Sequence, residues 1–284
     1  MGQHITGYLQ GPQSAQIFYQ AWRPARSPDA VVAIAHGLGG HSGQFRSVGE
    51  AWVRENLAVF CHDFRGHGLS KGQRAYIRCW EEYVSDLALL LGEVSAQYPN
   101  SPCFLWGHSL GGVIALDAVL QGRLPVRGLI LTAPAIGQTG IPAAKLWLGR
   151  ILSAVLPRFS LNVGLEPRSC SRDPAVVQQY ETDPLHHTLG TARLSTEYLK
   201  AVERIHQQAP RLQTPLLLLH GGGDRITSPR SSQQFYDQLT VSDRLMIRYP
   251  HAFHELHLDI NRAQVLADIL DWIRSHLLTP KTVT

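Results

Sequence analysis

An α/β fold is what this sequence predicts: a mostly parallel central sheet flanked by helices, with a helical cap inserted between two core strands. Three observations carry that reading. Short apolar runs alternate with stretches whose apolar residues recur at helical spacing. The strand candidates are near-continuously apolar, the pattern of a parallel sheet covered on both faces. The alternation lapses between residues 136 and 210, where Pro142, Pro157, Pro167, Pro174 and Pro184 break the chain.

In chain order, strands are expected at Ile17–Trp22, Ala30–Ala35, Val59–Phe64, around Phe104, at Leu129–Thr132, Leu216–His220 and Arg244–Tyr249. Helices are expected near Gly43–Glu55, Trp80–Gln97, Ser109–Gln121, Arg230–Leu239 and Asn261–His276. The last of these puts Val265, Leu266, Ile269, Leu270 and Ile273 on one buried face. Residues 1–135 and 211–284 form the core in this reading, and residues 136–210 form the cap.

Composition suits one such domain with an insertion. The 284 residues are 44% hydrophobic, enough for a large core. The charged fraction, 17%, lies below the usual quarter, and the net charge is only +4. Arg and Lys are dispersed, which argues against nucleic acid as a partner. No basic segment leading into a long apolar stretch follows Met1, so no secretory signal is expected. No apolar run is long enough to span a bilayer. Cys61, Cys79, Cys103 and Cys170 have spacings of neither a metal site nor a disulfide framework, so a reducing cytoplasm is the expected compartment.

The chemistry is concentrated in Gly107-His-Ser-Leu-Gly-Gly112. Phe104, Leu105 and Trp106 end a strand before it, and Val113, Ile114, Leu116, Val119 and Leu120 repeat at helical spacing after it. Gly-x-Ser-x-Gly between strand and helix is a nucleophile elbow, whose sharp turn leaves the hydroxyl of Ser109 clear of the sheet. Such a serine needs a base, and the base an orienting acid. Asp224 follows the run Leu216–His220 through Gly221-Gly222-Gly223, and His251 and His254 follow Arg244–Tyr249. An oxyanion would be held by two backbone N–H groups, that of Leu110 and that of Leu38 in the glycine-rich loop His36-Gly-Leu-Gly-Gly-His-Ser-Gly43. Gly37 and Gly39 let this loop approach the nucleophile and are candidate substrate contacts.

Four segments together resemble the monoacylglycerol lipases and lysophospholipases, serine hydrolases of the α/β-hydrolase fold. They are the loop His36–Gly43, Asp63-Phe-Arg-Gly-His-Gly-Leu-Ser70, the elbow Gly107–Gly112, and the pair Asp224 and His254. The resemblance runs over about residues 15–276, and Asp183-Pro184-Leu185 is similar to the lid region of that family. It implies a Ser109–His254–Asp224 triad with chain order Ser, Asp, His, and an acyl-enzyme cleaved by water. It favours His254 over His251 as base, and it implies that Asp63 and Arg65 brace the loop without reacting. His257 matches a second histidine of the pattern and is expected to meet the polar head of a substrate.

Vertebrate-type members carry an acidic residue where Gly40 stands and a basic one where Gln44 stands. These two departures lie at the glycerol end of the pocket and count against a glycerol-ester preference, while the resemblance as a whole implies monoacylglycerols as the leading substrates, with lysophospholipids or short- and medium-chain carboxylic esters as the alternative. A binding protein that kept the fold without the reaction is a further alternative. Neither a cofactor nor a metal is expected. In particular, His251-x-x-His254-x-x-His257 on a helix would not converge its three rings on one point. Within the cap, Leu146, Trp147, Leu148, Ile151, Leu152, Val155 and Leu156 form an apolar stripe. It either packs on the core or roofs an acyl pocket and stays partly exposed for contact with micelles or membranes.

Overall fold

Eight strands build one sheet in the computed structural model, which describes residues 2–137 and 143–277. In chain order the described elements are β1 (Gln3–Gln10), β2 (Gln16–Arg23), β3 (Ala30–Ala35), α1 (Arg46–Arg54), β4 (Leu57–His62), α2 (Glu81–Gln97), β5 (Cys103–His108), α3 (Leu110–Leu120) and β6 (Gly128–Thr132). An inserted stretch follows, with α4 (Ala143–Val155), β7 (Ser160–Asn162), α5 (Pro167–Cys170), α6 (Pro174–Thr182), β8 (Leu189–Thr191) and α7 (Ala192–Gln208). The chain then returns with β9 (Leu216–Gly221), α8 (Pro229–Gln238), β10 (Arg244–Tyr249) and α9 (Arg262–Leu277).

The sheet order is β1-β2-β4-β3-β5-β6-β9-β10. From β4 to β10 every pairing is parallel, while β1 and β2 join antiparallel at one edge. Strands β3, β4, β5, β6 and β9 are buried almost throughout, as their unbroken apolar sequences require. One core packs Tyr83, Leu87, Val113 and Leu116 on one face of the sheet. The other packs Trp52, Trp106, Val265 and Ile269 on the opposite face.

Three details depart from the sequence reading. Strand β1 was not expected; its residues alternate between half-buried and exposed, so it carries no apolar run. Strand β4 ends at His62 rather than Phe64, because the Asp63 carboxylate turns the chain by accepting hydrogen bonds from Ser42 N (2.6 Å) and Leu69 N (2.7 Å). The helix expected from Gly43 begins as a 3-10 turn, Ser42–Phe45, capped by His41, before α1 starts. The fold-bracing expectation for Arg65 matches its place: it forks onto Asp86 at 2.7 and 2.8 Å and reaches Glu82 at 2.9 Å.

The apolar stripe of α4 faces outward. Trp147 is 64% exposed and Val155 70%, whereas Ser153 is buried and bonds Thr196 on α7. The stripe therefore does not pack on the core. Ile141, Pro142 and the Leu146 side chain lie outside what is described. Among the described residues no helix is long and apolar enough to cross a membrane.

Candidate active site

The parallel strands all end on one side, and the order reverses at β3, which lies between β4 and β5. A ligand site is expected in the crevice beyond that switch point. The register sets Ala35 beside Gly107, so the loops leaving β3 and β5 emerge as neighbours.

Ser109 occupies the turn between β5 and α3 at φ 53°, ψ −119°. A non-glycine residue there stores on the order of 1–3 kcal/mol of strain. The packing enforces it: a Cβ on Gly107 would stand 2.6 Å from Gly112 Cα, and one on Gly111 would overlap the carbonyl oxygens of Ala35 and His36. Ser109→Gly is accordingly expected to raise the unfolding free energy by about 1–3 kcal/mol in denaturant titration while removing the hydroxyl.

The structure brings the three predicted side chains together. His254 Nε2 lies 3.0 Å from Ser109 Oγ, and His254 Nδ1 lies 2.8 Å from Asp224 Oδ2. A carboxylate only accepts, so Nδ1 carries the hydrogen and the Nε2 lone pair receives the serine proton. Asp224 is held from several sides. Its Oδ1 accepts from Ile226 N (2.8 Å) and Thr227 N (3.0 Å). Its Oδ2 also accepts from Thr227 Oγ1 (2.8 Å) and His220 Nε2 (3.1 Å). His220 is oriented in turn by Ser232 Oγ at 2.7 Å.

Burial alone would raise the Asp224 pKa, but His254 and His220 overrule it and hold the carboxyl far below its ordinary range. For His254, burial favours the neutral ring, while Asp224 and then Glu255 favour the charged one. The net shift is upward. His251 is exposed at the surface, so of the two histidines only His254 meets the serine.

The loop after β3 is drawn tightly over the elbow. A Cβ on Gly37 would stand 3.1 Å from Ser109 Cβ. His36 ties the loop down: its Nδ1 donates to Gly37 O (2.7 Å) and its Nε2 accepts from Phe64 N (3.0 Å). Burial lowers the His36 pKa to about 4, which keeps the ring neutral for both bonds. Among the described residues the N–H groups of Leu38 and Leu110 have no acceptor within the protein.

Two expected substrate contacts are placed elsewhere. Gly39, at φ +74°, turns its carbonyl to His187 N at 3.1 Å; a Cβ there would overlap the His187 carbonyl. His257 is buried, stacked flat on Phe45 with ring centroids 4.2 Å apart, and does not line the cavity. Its position is corrected from substrate contact to core. Burial pushes its pKa down to about 3, in keeping with a ring set among aromatics.

Ser109, His254 and Glu255 line one cavity of about 530 Å³, within the usual range for ligand pockets. Its walls are largely apolar, with Leu110, Val163, Leu165, Leu194, Tyr198 and Ile226. Sequence reasoning missed Thr227, His220 and Glu255. The first had a signal, since Asp-x-x-Thr is a turn in which the carboxylate gathers the next backbone N–H groups. Glu255 had none, because its partner His108 comes from the elbow.

A family model described as serine aminopeptidase, S33, matches residues 26–261. The chain belongs to the serine aminopeptidase S33 family. This S33 hydrolase is 31% identical over 271 residues to a monoacylglycerol lipase of Mycolicibacterium smegmatis, covering 94% of this chain and 96% of that one. It is 32% identical over 265 residues, 92% of its length, to an uncharacterized abhydrolase domain-containing protein of Dictyostelium discoideum, of which it spans 28%. Among solved structures it is similar to the monoacylglycerol lipase of Paleococcus ferrophilus, with a TM-score of 0.83 and 29% identity over 92% of this chain and 99% of that chain. The S33 assignment agrees with the α/β-hydrolase fold expected from the elbow and its neighbours.

Proposed function

We propose that this chain is a monoacylglycerol lipase that releases a fatty acid and glycerol through a Ser109–His254–Asp224 triad. The chain is a carboxylic ester hydrolase. The observation that supports the proposal is the Ser109–His254–Asp224 chain opening into a largely apolar cavity of about 530 Å³. Ser109 Oγ attacks the ester carbonyl as His254 Nε2 takes its proton. The N–H groups of Leu38 and Leu110 stabilise the oxyanion, each worth about 2.7–4 kcal/mol in comparable sites. His254 then protonates the departing alcohol, activates a water, and the acyl-enzyme is hydrolysed. Asp224 keeps the imidazole in its required tautomer throughout.

At the polar end of the cavity Gln44 stands where charge was expected from vertebrate-type relatives. Its Oε1 accepts from His41 N at 3.3 Å, which leaves the amide N–H groups to donate to a glycerol hydroxyl. A Cβ on Gly40 would stand 2.5 Å from that Oε1, so the two departures from the vertebrate pattern are sterically linked.

Residues 136–210 act as the cap in this reading, with the exposed face of α4 resting on micelles or membranes. Val163 is both exposed and part of the cavity wall, so an apolar path leads from the surface inward. Trp147→Ser is expected to weaken sedimentation with liposomes while sparing turnover of a short soluble ester; undiminished sedimentation would refute the contact. Four free cysteines fit a reducing cytoplasm as the compartment.

The deciding experiment measures initial rates on monoacylglycerols of rising chain length, matched lysophospholipids and p-nitrophenyl esters, with Ser109→Ala as blank. Highest kcat/KM on long-chain monoacylglycerols is the expected result. A preference for lysophospholipids, or activity confined to short esters, would replace the substrate while leaving the hydrolase.

A further inference from the structure

Behind the candidate triad, three ligand atoms converge from the end of β5 and from the loop between β10 and α9. His108, His254 and Glu255 each offer one atom, and these atoms lie within 4.8 Å of one another. His108 Nε2 and Glu255 Oε2 are 3.0 Å apart, the distance of a buried ion pair. Both residues are more than nine-tenths buried. A buried carboxylate faced by imidazoles is a setting in which a divalent cation replaces the shared proton.

The protonation states suit a cation. His108 Nδ1 lies 3.1 Å from the carbonyl oxygen of Thr132, which can only accept, so Nδ1 carries hydrogen. The Nδ1 hydrogen of His254 is likewise committed, to Asp224. The His254 Nε2 lone pair receives the Ser109 hydroxyl, and His108 Nε2 offers a lone pair once the hydrogen it directs at Glu255 is released. An imidazole whose other nitrogen donates to a carbonyl or carboxylate is the usual support for a metal-bound histidine.

We propose that His108 Nε2, His254 Nε2 and Glu255 form an inhibitory site for Zn²⁺ or a similar borderline divalent cation. Two imidazoles and one carboxylate with an open fourth position are a zinc donor set. Bonds of about 2.0–2.2 Å place tetrahedral ligand atoms roughly 3.3 Å apart. His108 and Glu255 already stand near that spacing, and His254 approaches by a movement on the order of 1 Å within the set. Glu255 and His254 both line the cavity, which supplies the entry path and a water for the fourth position. Any proton held on His108 Nε2 leaves to solvent as the metal takes the lone pair. Coordination of His254 Nε2 breaks its bond to Ser109, so no base remains for the serine proton; this consequence rests on the proposed triad.

The test has two arms on the intact protein. In a non-coordinating buffer, ZnCl₂ is expected to inhibit p-nitrophenyl butyrate hydrolysis, with recovery on adding EDTA, while MgCl₂ does nothing. By calorimetry, Ser109→Ala, which keeps all three ligands, is expected to bind one Zn²⁺ whether or not the protein is a lipase. Adding Glu255→Gln or His108→Gln to that variant should weaken binding at least about tenfold, the least expected on losing a ligand when a supporting group alone is worth that much. Circular dichroism of each variant verifies that it is folded. Full activity in millimolar ZnCl₂, or zinc binding unaltered by both substitutions in folded protein, would overturn the site.

Discussion

Ser109→Ala is expected to lower kcat on a monoacylglycerol by about 10⁶-fold, the loss seen when a triad nucleophile is removed from a comparable hydrolase. The fold should survive. Ser109 N donates to Thr132 O at 3.0 Å and Ser109 O accepts from Gly112 N at 3.0 Å, and alanine keeps both bonds. The hydroxyl itself bonds only His254 in the active-site chain described above. Circular dichroism and the denaturation midpoint should therefore stay close to those of the parent while turnover falls to the blank. A variant retaining even a hundredth of parental kcat would move the nucleophile to another residue.

Asp224→Asn should cost about 10⁴-fold in kcat, since an amide can turn its N–H₂ to His254 and stabilise the wrong tautomer. The pH profile supplies the sharper reading. The free enzyme is active when His254 is neutral, so kcat/KM falls as pH drops through the His254 pKa. Because Asp224 and Glu255 outweigh burial and raise that pKa, the acid limb of the parent should lie above the ordinary histidine value of about 6.5. Removing the Asp224 charge leaves burial to act against the charged ring, so the acid limb should move to lower pH. An acid limb that stays in place would show that another group controls it.

How much of this is legible in the sequence follows from where each residue sits along the chain. Ser109, Leu38, Asp224 and His254 each follow an apolar run closely, and parallel strands deliver such positions to a common edge. The core strands are legible for the same reason, being buried on both faces. β1 is not, because an exposed edge strand needs no apolar run. Spacing alone does not separate His251 from His254; the fold does, since Ala252 N bonds back to Tyr249 O and the next turn carries His254 inward. His257 escaped because its fate is decided by Phe45, far away in sequence, whose ring offers a flat apolar surface. Glu255 and His108 escaped likewise, their meeting being a product of tertiary structure alone.

β6 and β9 are immediate neighbours in the sheet, paired in parallel from Leu129 with Leu216 to Thr132 with Leu219. Because the pairing is parallel, the chain leaves β6 at the carboxyl rim of the sheet and has to cross to the opposite edge before it enters β9. α7 is the last long helix before β9, and the stretch ahead of it can be lengthened or trimmed at small entropic cost, since the cost of loop closure grows only with the logarithm of length. The exit from β6 lies on the same rim as the elbow, and Val163, Leu165, Tyr180 and His186 from the stretch ahead of α7 line the cavity at Ser109. Exchanging the stretch between β6 and α7 for a relative's is therefore expected to alter the choice of substrate and leave the machinery beneath in place.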